Sequence, residues 1–509
     1  MLFNQGLLIK KFTQKGQIRP HFFNSFFYCL KNLFVLCLGL MIKRNWLILI
    51  LLAGCKPAPE ISPSKYAPAG NASFWINSQA DNRHIDSVPF LDLASLEKQP
   101  GVLNILDLFS LGLNNSPLTK KTFYEAQAAA TNYGLSRASL YPNIKLNVSY
   151  LRQLQGFQLN ASLFQYYTTT WGPEMMMDFT LIDLTRQPNI ESSYFGLLTS
   201  NLKHNSEVQN VLRQVADTYY SYLYQKNLLI AYKSDLADAQ ATYTAAIDRL
   251  SLGISDITNV MQAKSSYLQK KIIVAAQEAT VKNSLITLNT NLGIPAQTSL
   301  VVEDFPDPKT IQTSFIQPDV LLSIAQQMRP DLKAIKATIL QKKADLKKAY
   351  AKNYPLLRFN GRAGQFYFNQ NTTDGGNWLV QFNLDTPIFT GWQIKNEFRQ
   401  QMALIEQSES SLNLLQLQVM SGVMTQYNNL VLAYDQLQLN QQFLDATEIE
   451  YKGTFEGYVA GTNDILNVLN SQAKLADARA QLVQVVSNYF QSKAKLTFEI
   501  GLINKNEAP

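Results

Sequence analysis

The sequence predicts a membrane α+β protein made by internal tandem duplication. Each half contributes two β-strands to a barrel and long α-helices to a coiled-coil continuation of it. Three observations carry this reading. One eight-residue phrase is written twice, two segments in each half alternate apolar with polar residues, and two very long segments lack proline while keeping apolar residues three or four apart.

The phrase is "GISDITNV" from Gly253 to Val260 and "GTNDILNV" from Gly461 to Val468, 208 positions on, with Gly, Asp, Ile, Asn and Val in common. The same offset aligns Val215 with Val423, Tyr219 with Tyr427 and Gly293 with Gly501. Upstream, "LYPNIKL" (Leu140–Leu146) answers "NYPLLRF" (Asn353–Phe359), with Pro142 and Pro355 offset by 213. The repeats are therefore placed at 103–294 and 321–502, joined by a proline-containing linker at 295–320 and followed by a tail, 503–509. Each half reads as one helix of about 35 residues stopped by proline, two strands, a very long helix, the repeated phrase and a second helix.

The strands, expected at about 143–182 and 356–389, alternate with period two. Ile144, Leu146, Val148 and Tyr150 share one face, against Asn143, Lys145, Asn147 and Ser149. Met175, Met177, Phe179 and Leu181 alternate with Asp178 and Thr180. Leu357 and Phe359 oppose Arg358, Asn360 and Arg362; Trp378, Val380, Phe382 and Leu384 oppose Gln381, Asn383 and Asp385. A soluble sandwich would bury such a face, but two hairpins make little of a sandwich. In lipid the apolar face points outward, strands need about 10 residues, and aromatics sit at the rims. Tyr166, Tyr167, Trp171, Tyr367 and Trp378 suit rims. Four strands cannot close, and lipid tolerates only closed barrels, so three copies giving twelve strands are expected.

No proline occurs after Pro188 as far as Leu250, nor from Trp392 to Gly461. A helix of about 60 residues spans roughly 90 Å. Leu412, Leu415, Val419, Val423, Tyr427, Leu430, Tyr434 and Leu437 step by three or four, a coiled-coil-like seam. The other faces are rich in Gln, Asn and Ser, which suits a water-filled lumen or an ordinary solvated surface.

Charge adds a second line. The net charge is +7, but residues 1–54 hold Lys10, Lys11, Lys15, Arg19, Lys31, Lys43 and Arg44 and no acidic residue. Taking those 7 from 45 basic residues leaves 38 against 38 acidic ones, so a nucleic-acid surface has no support. From Met41, "MIKRNWLILILLAGC" has a basic start, a short apolar core and small residues before Cys55, the marks of a secretory signal at 41–54. Residues 1–40 read as an upstream extension or a misassigned start. "LAGC" resembles the bacterial lipobox, which implies a covalent lipid on Cys55, and Lys56 after it points to the outer membrane. Cys29 and Cys37 lie in the leader, so no disulfide is expected after processing, and the following 55–102 reads as an extended segment.

The ordered set "NNSPL", "MRPDL", "YPNIKL", "YPLLRF", "DTPIFTGWQ" and "GTNDILNVLNSQAKLADARAQL" resembles the TolC-type outer-membrane efflux channels, over roughly 100–502. The lipobox resembles the lipoprotein branch of that family, which serves tripartite pumps. The resemblance implies a homotrimer: a twelve-stranded outer-membrane β-barrel, four strands per protomer, continued by a long periplasmic α-helical coiled-coil barrel. It implies docking to a periplasmic adaptor and an inner-membrane transporter, contact with outer-membrane lipid, and passive conduction of drugs, toxic compounds or metal ions out of a Gram-negative cell.

By the same resemblance, the repeated phrase is the turn at the periplasmic tip. Gly253 and Gly461 would reverse the chain, Ser255-Asp256 and Asn463-Asp464 would cap the returning helices, and Arg249, Leu252 and Tyr458 would lie where adaptor hairpins pack. Some members carry acidic residues where this chain has Asn467 and Asn470, and an arginine and its acidic partner where it has Asn463 and Asn259. The expectation is an entrance gate held by amide hydrogen bonds and by packing of Tyr458 and Leu469, not by salt bridges.

Enzyme readings have little to stand on. Outside the leader the histidines are His84 and His204, without cysteine or acidic partners at metal spacing. There is no phosphate-binding or dinucleotide motif. No cofactor beyond the lipid is expected. Two alternatives stay open: an outer-membrane conduit for ATP-driven protein secretion, and a periplasmic coiled-coil scaffold anchored only through Cys55.

Overall fold

The computed structural model describes residues 62–76, 102–159, 162–311, 315–368 and 375–502. The leader, Cys55, His84 and the tail fall outside them. In chain order the helices are α1 (Pro63–Tyr66), α2 (Ile105–Asn115), α3 (Pro117–Ala138), α4 (Arg186–Ser251), α5 (Ile257–Asn291), α6 (Pro318–Met328), α7 (Pro330–Ala351), α8 (Gln393–Ala460) and α9 (Ile465–Glu499). The strands are β1 (Asn143–Leu159), β2 (Ser162–Ile182), β3 (Leu356–Phe368) and β4 (Gly375–Asp385).

The duplication is visible element by element. The bounds of α2 and α3 recur in α6 and α7 at the offset of 213, and those of α5 recur in α9 at 208. The change of five positions therefore falls between α3 and α5, where the first-half strands run to 17 and 21 residues and their counterparts to 13 and 11. The single helix of about 35 residues expected in each half is in fact two. Ser116 accepts a hydrogen bond from Leu118 N as the cap of α3, and Pro117 and Pro330 open their helices. Proline at the first helical position forfeits only an N–H that has no intrahelical partner, so it restarts a helix with ease. The linker expected to run to 320 also gives way early, because α6 begins at Pro318.

The long helices are α4, with 66 residues, and α8, with 68. At 1.5 Å per residue each spans about 100 Å. Leu108, Phe109, Leu111 and Leu113 of α2 bury against Val208, Val211, Leu212 and Val215 of α4. The second half copies this with Leu321 and Ala325 of α6 against Val419 and Val423 of α8. On the expected α8 seam, Val419, Val423, Leu430 and Leu437 are buried, and Leu412, Leu415, Tyr427 and Tyr434 are partly buried beside them. The linker is strapped down between the halves: Tyr219 donates to the Glu303 carbonyl (2.9 Å), and Phe305 stacks on Tyr220 and Phe490.

Residues 62–76 form a second strap, over α3 and α4. The Asn201 amide donates to Tyr66 O (2.8 Å), and Asn205 both accepts from Trp75 N and donates to Trp75 O. Trp75 packs with Leu202 of α4 and with Ala334 and Ala337 of α7, so the strap touches both repeats. His204 is fully buried under it. Its Nε2 donates to the Ser73 carbonyl (3.1 Å), which leaves Nδ1 to accept from the Thr122 hydroxyl (2.9 Å).

The strands form one antiparallel sheet in the order β1-β2-β3-β4, with both outer edges unpaired in the protomer. Its lateral rows sort cleanly. Ile144, Met177, Gly361 and Val380 lie side by side, as do Leu146, Met175, Ala363 and Trp378. The intervening rows are Asn143, Asp178, Asn360 and Gln381, then Lys145, Met176, Arg362 and Leu379. The alternation is rephased at one place. A bulge between Thr180 and Ile182 sets Ile182, not Leu181, opposite Leu357. The strands also exceed the expected length of about 10 residues.

Two predictions follow from packing. A Cβ at Gly172 would land on the Gln365 carbonyl across the β2–β3 pair, whereas one at Gly375 meets nothing within 4 Å. Gly172→Val should cost about 1–3 kcal/mol of pairing and deplete the heat-modifiable folded band on gels, while Gly375→Ala leaves it intact. Burial holds the pKa of His204 below its ordinary 6.5, against the opposing bond to Ser73. Its contribution is thus fully present above 6.5 and lost as pH falls. The melting temperature should drop between about pH 7.5 and pH 5, and His204→Gln should flatten that slope.

Candidate functional site

At the end of the long helices farthest from the sheet, α4 turns into α5 and α8 into α9. Gly253 and Gly461 take φ of 75° and 88°, the left-handed region that costs a side-chain-bearing residue energy. Ile254 N bonds Arg249 O (3.0 Å) and Gly253 N bonds Leu250 O (2.9 Å); Thr462 N to Gly457 O (2.8 Å) and Gly461 N to Tyr458 O (3.1 Å) repeat the pattern. This closes the last carbonyls of each helix. Asp256 then accepts from Thr258 N and Asp464 from Asn467 N (2.9 Å), so the returning helices are capped by aspartate in both copies. Those backbone bonds hold the Asp256 carboxyl below the usual range.

The two turns are joined through Arg249. Its guanidinium lies over the Tyr458 ring, 4.7 Å from the centroid, and Nη1 donates to the Tyr458 carbonyl, while Nη2 reaches Ile254 O at 3.4 Å. One side chain of the first repeat thus binds the helix end of the second. Tyr458 is only 1% exposed, packed with Ala246, Val260, Ala263, Ile465 and Val468, and Leu469 lies against the same cluster. It is an internal anchor of the tip, and not a surface for a partner as the sequence suggested. Leu252 and Asp256 are exposed.

The asparagines do not form a lock within the protomer. The Asn463 amide donates back to Thr454 O (3.4 Å) and the Asn259 amide to Ser255 Oγ (3.1 Å), each within its own turn. Asn467 and Asn470 are exposed. Beside the tip a groove of about 610 Å³ runs along α4, lined by Gln240, Ala241, Thr244, Asp248 and Leu252 and closed by Val459 of α8. Among the described residues no group of three His, Cys, Asp or Glu side chains could hold a metal ion.

Four turns higher, the halves are tied a second time. Arg479 of α9 donates to Asp235 (2.9 Å) and Asp238 (2.6 Å) of α4, and Lys270 of α5 stands 4.0 Å from Asp235. Burial raises the Asp235 carboxyl, and the Arg479 bond and the nearby cations oppose that rise. Neither contact was visible to sequence reasoning. Arg249 was singled out with its turn, but its partner lies 209 positions away, off the register of the repeat.

Known proteins place this arrangement. The pattern described as "Outer membrane efflux protein" matches residues 108–294 and again residues 321–502. The chain belongs to that family. The outer membrane protein TolC of Salmonella enteritidis is 20% identical over 432 residues, covering 79% of this chain and 83% of its own. The toluene efflux pump outer membrane protein TtgF of Pseudomonas putida is 22% identical over 408 residues, covering 78% and 82%. The solved outer-membrane channel OprN shares the fold with a TM-score of 0.71 at 15% identity, covering 88% of this chain and 99% of its own. The chain is thus an outer-membrane efflux channel protein.

For this efflux protein the Arg249 contact generates a prediction. Arg249→Met keeps the bulk over Tyr458 but loses the charge and the donors, a loss of roughly 1–2 kcal/mol. Amide exchange at Gly457–Gly461 should speed up and single-channel conductance should rise. Arg249→Lys should recover only part of the effect, because lysine lacks the planar fork.

Proposed function

We propose that three copies of this chain close a twelve-stranded barrel in the outer membrane and a helical tunnel below it, through which small molecules pass passively from a periplasmic pump. The observation that carries this is the bare apolar face of the sheet. Leu146 is 70% exposed, Tyr150 69%, Trp378 64% and Leu384 67%, and they share one face with edges open on both sides. In water such a face is a liability. In lipid it is the required outer surface, and three copies remove every edge. The same face argues against a periplasmic scaffold held only by its lipid. No described helix is long and apolar enough to cross a membrane, so the sheet is the candidate span.

The groove beside Arg249, Leu252 and Gly253, with the neighbouring turn at Gly461 and Asp464, is the proposed seat of a periplasmic adaptor, which connects an inner-membrane transporter. Its small side chains admit a helix at close range. Lipid on Cys55 is the proposed second anchor: the seven residues from there to Ser62 can reach about 25 Å. Drugs, toxic compounds or metal ions are the proposed cargo, in keeping with efflux relatives. The proposed gate comprises Asn259, Asn463, Asn467 and Asn470, of which Asn467 and Asn470 are exposed.

Purified protein in planar bilayers tests the reading. A trimer without conductance would sink it. Because Asn467 and Asn470 present amides and not a ring of carboxylates, low-millimolar Mg²⁺ should change conductance by less than about twofold. The double variant Asn467→Asp, Asn470→Asp should acquire a clear block. Cys55→Ser should abolish palmitate incorporation and leave conductance in place.

A further inference from the structure

The strap at 62–76 occupies a groove that only the first repeat builds. Ala126 and Ala130 of α3 are fully buried, packed with Ala67 of the strap and Leu197 of α4. At the offset of 213 their places in α7 are held by Ile339 and Lys343. Asn201 and His204 of α4 bind carbonyls of the strap. At the offset of 208 their places in α8 are held by Glu409 and Leu412. Lys343 and Glu409 join in an ion pair at 3.0 Å. Where the second repeat has bulk and charge, the first has small residues and neutral hydrogen-bonding groups. The groove is shaped to hold a segment of chain.

His204 sits at its centre, the only histidine among the described residues and 0% exposed. The strap meets it with the Ser73 carbonyl, and α3 meets it with the Thr122 hydroxyl and the Phe123 ring, 6.4 Å away between centroids. The titratable groups on these elements are turned elsewhere. Lys65 of the strap, Tyr124 of α3 and Lys203 of α4 are exposed, and Tyr66 packs its ring on Tyr133. Lys121 and Glu125 of α3 face each other at 3.9 Å, and Glu207 of α4 accepts from Asn210.

A second proton on the imidazole goes to Nδ1. The Thr122 hydroxyl can then turn to the carbonyls of Thr119 (3.2 Å) or Leu118 (3.3 Å) and accept from Nδ1. The hydrogen bonds can therefore be kept, but the charge has no acidic partner among the described residues. A buried ion without a partner is costly. Burial already holds the pKa of this ring below its ordinary 6.5. The direct way to hydrate the cation is to lift its cover, and that cover is the strap around Ser73.

We propose that residues 62–76 form an acid-released clamp, in which a proton on His204 lifts the Ser73–Trp75 end of the strap from α3 and α4. Trp75 then leaves Leu202 of α4 and Ala334 and Ala337 of α7, so the release loosens a joint between the two repeats. The sign follows from burial of the neutral form. The clamp is closed above about pH 6.5 and opens as the pH falls below it. Nothing in this depends on how many copies assemble.

Hydrogen exchange of the full-length protein tests the clamp, with protection taken relative to the intrinsic rate at each pH. Protection of the peptide carrying residues 70–76 should fall roughly tenfold between about pH 7.5 and pH 5. The buried stretch of α9 at Val485–Ser487 should keep its protection. His204→Gln retains a donor and an acceptor but cannot take a proton, so its strap should show no step. If that variant leaves the strap unprotected at both pH values, Asn205→Ala decides. It removes the bonds to Trp75 and keeps the imidazole, so protection should be lower throughout and still step with pH. Equal protection of the unaltered protein at both pH values overturns the clamp. So does a full step in His204→Gln, the absence of one in Asn205→Ala, or a matching fall in α9.

Discussion

A helix of 66 residues does not hold itself together in water, and the fold is organised around that constraint. Side-chain packing, not helix propensity, stabilises long helices. α5 and α9, at 35 residues each, cover only the half of α4 and α8 next to the tip. The other half is covered by the shorter pairs α2–α3 and α6–α7, whose apolar faces bury on Val208–Val215 and on Val419 and Val423. The proline-opened breaks between the members of each pair let the second helix start afresh along the long one. The linker and the 62–76 strap then fill the remaining seams, with Phe305 and Trp75 as their anchors.

Duplication supplied this plan twice, and the contacts that join the halves at the tip use unlike residues from the two copies. The position of Arg249 in the second repeat is Gly457, and that of Tyr458 in the first is Leu250. The cation and the ring that join the two turns therefore come from different copies. The same holds for the strands. The described strands of the second hairpin, at 13 and 11 residues, are shorter than the 17 and 21 of the first.

Much of this was legible in the letters. Period-two alternation placed all four strands and their apolar face, because a pleated strand has only two faces to assign. The seam of α8 was legible because residues three or four apart must share a side. The break at Ser116 was not, since "NNSPL" continues an apolar period across the join and proline at a first helical position leaves the pattern unbroken. The strap was not legible either. Its partners, Asn201, His204 and Asn205, are polar residues in a helix face that packing would make apolar, and only the buried carbonyls of Tyr66, Ser73 and Trp75 explain them. Arg249 with Tyr458 depends on two turns meeting in space.

That last contact bears on what kind of gate the tip would be under the proposed function. An exposed ion pair weakens with salt and vanishes when its carboxylate is protonated. Arg249 uses no carboxylate: it lies on a buried ring and donates to a main-chain carbonyl. Screening has little purchase on such a contact, and acid removes no partner from it. The ionic tie sits higher, at Asp235, Asp238 and Arg479, where burial shields it. If the tip gates as proposed above, opening it would require displacing a packed side chain rather than titrating a charge, and a helix seated in the groove that Arg249 and Leu252 line would do that mechanically.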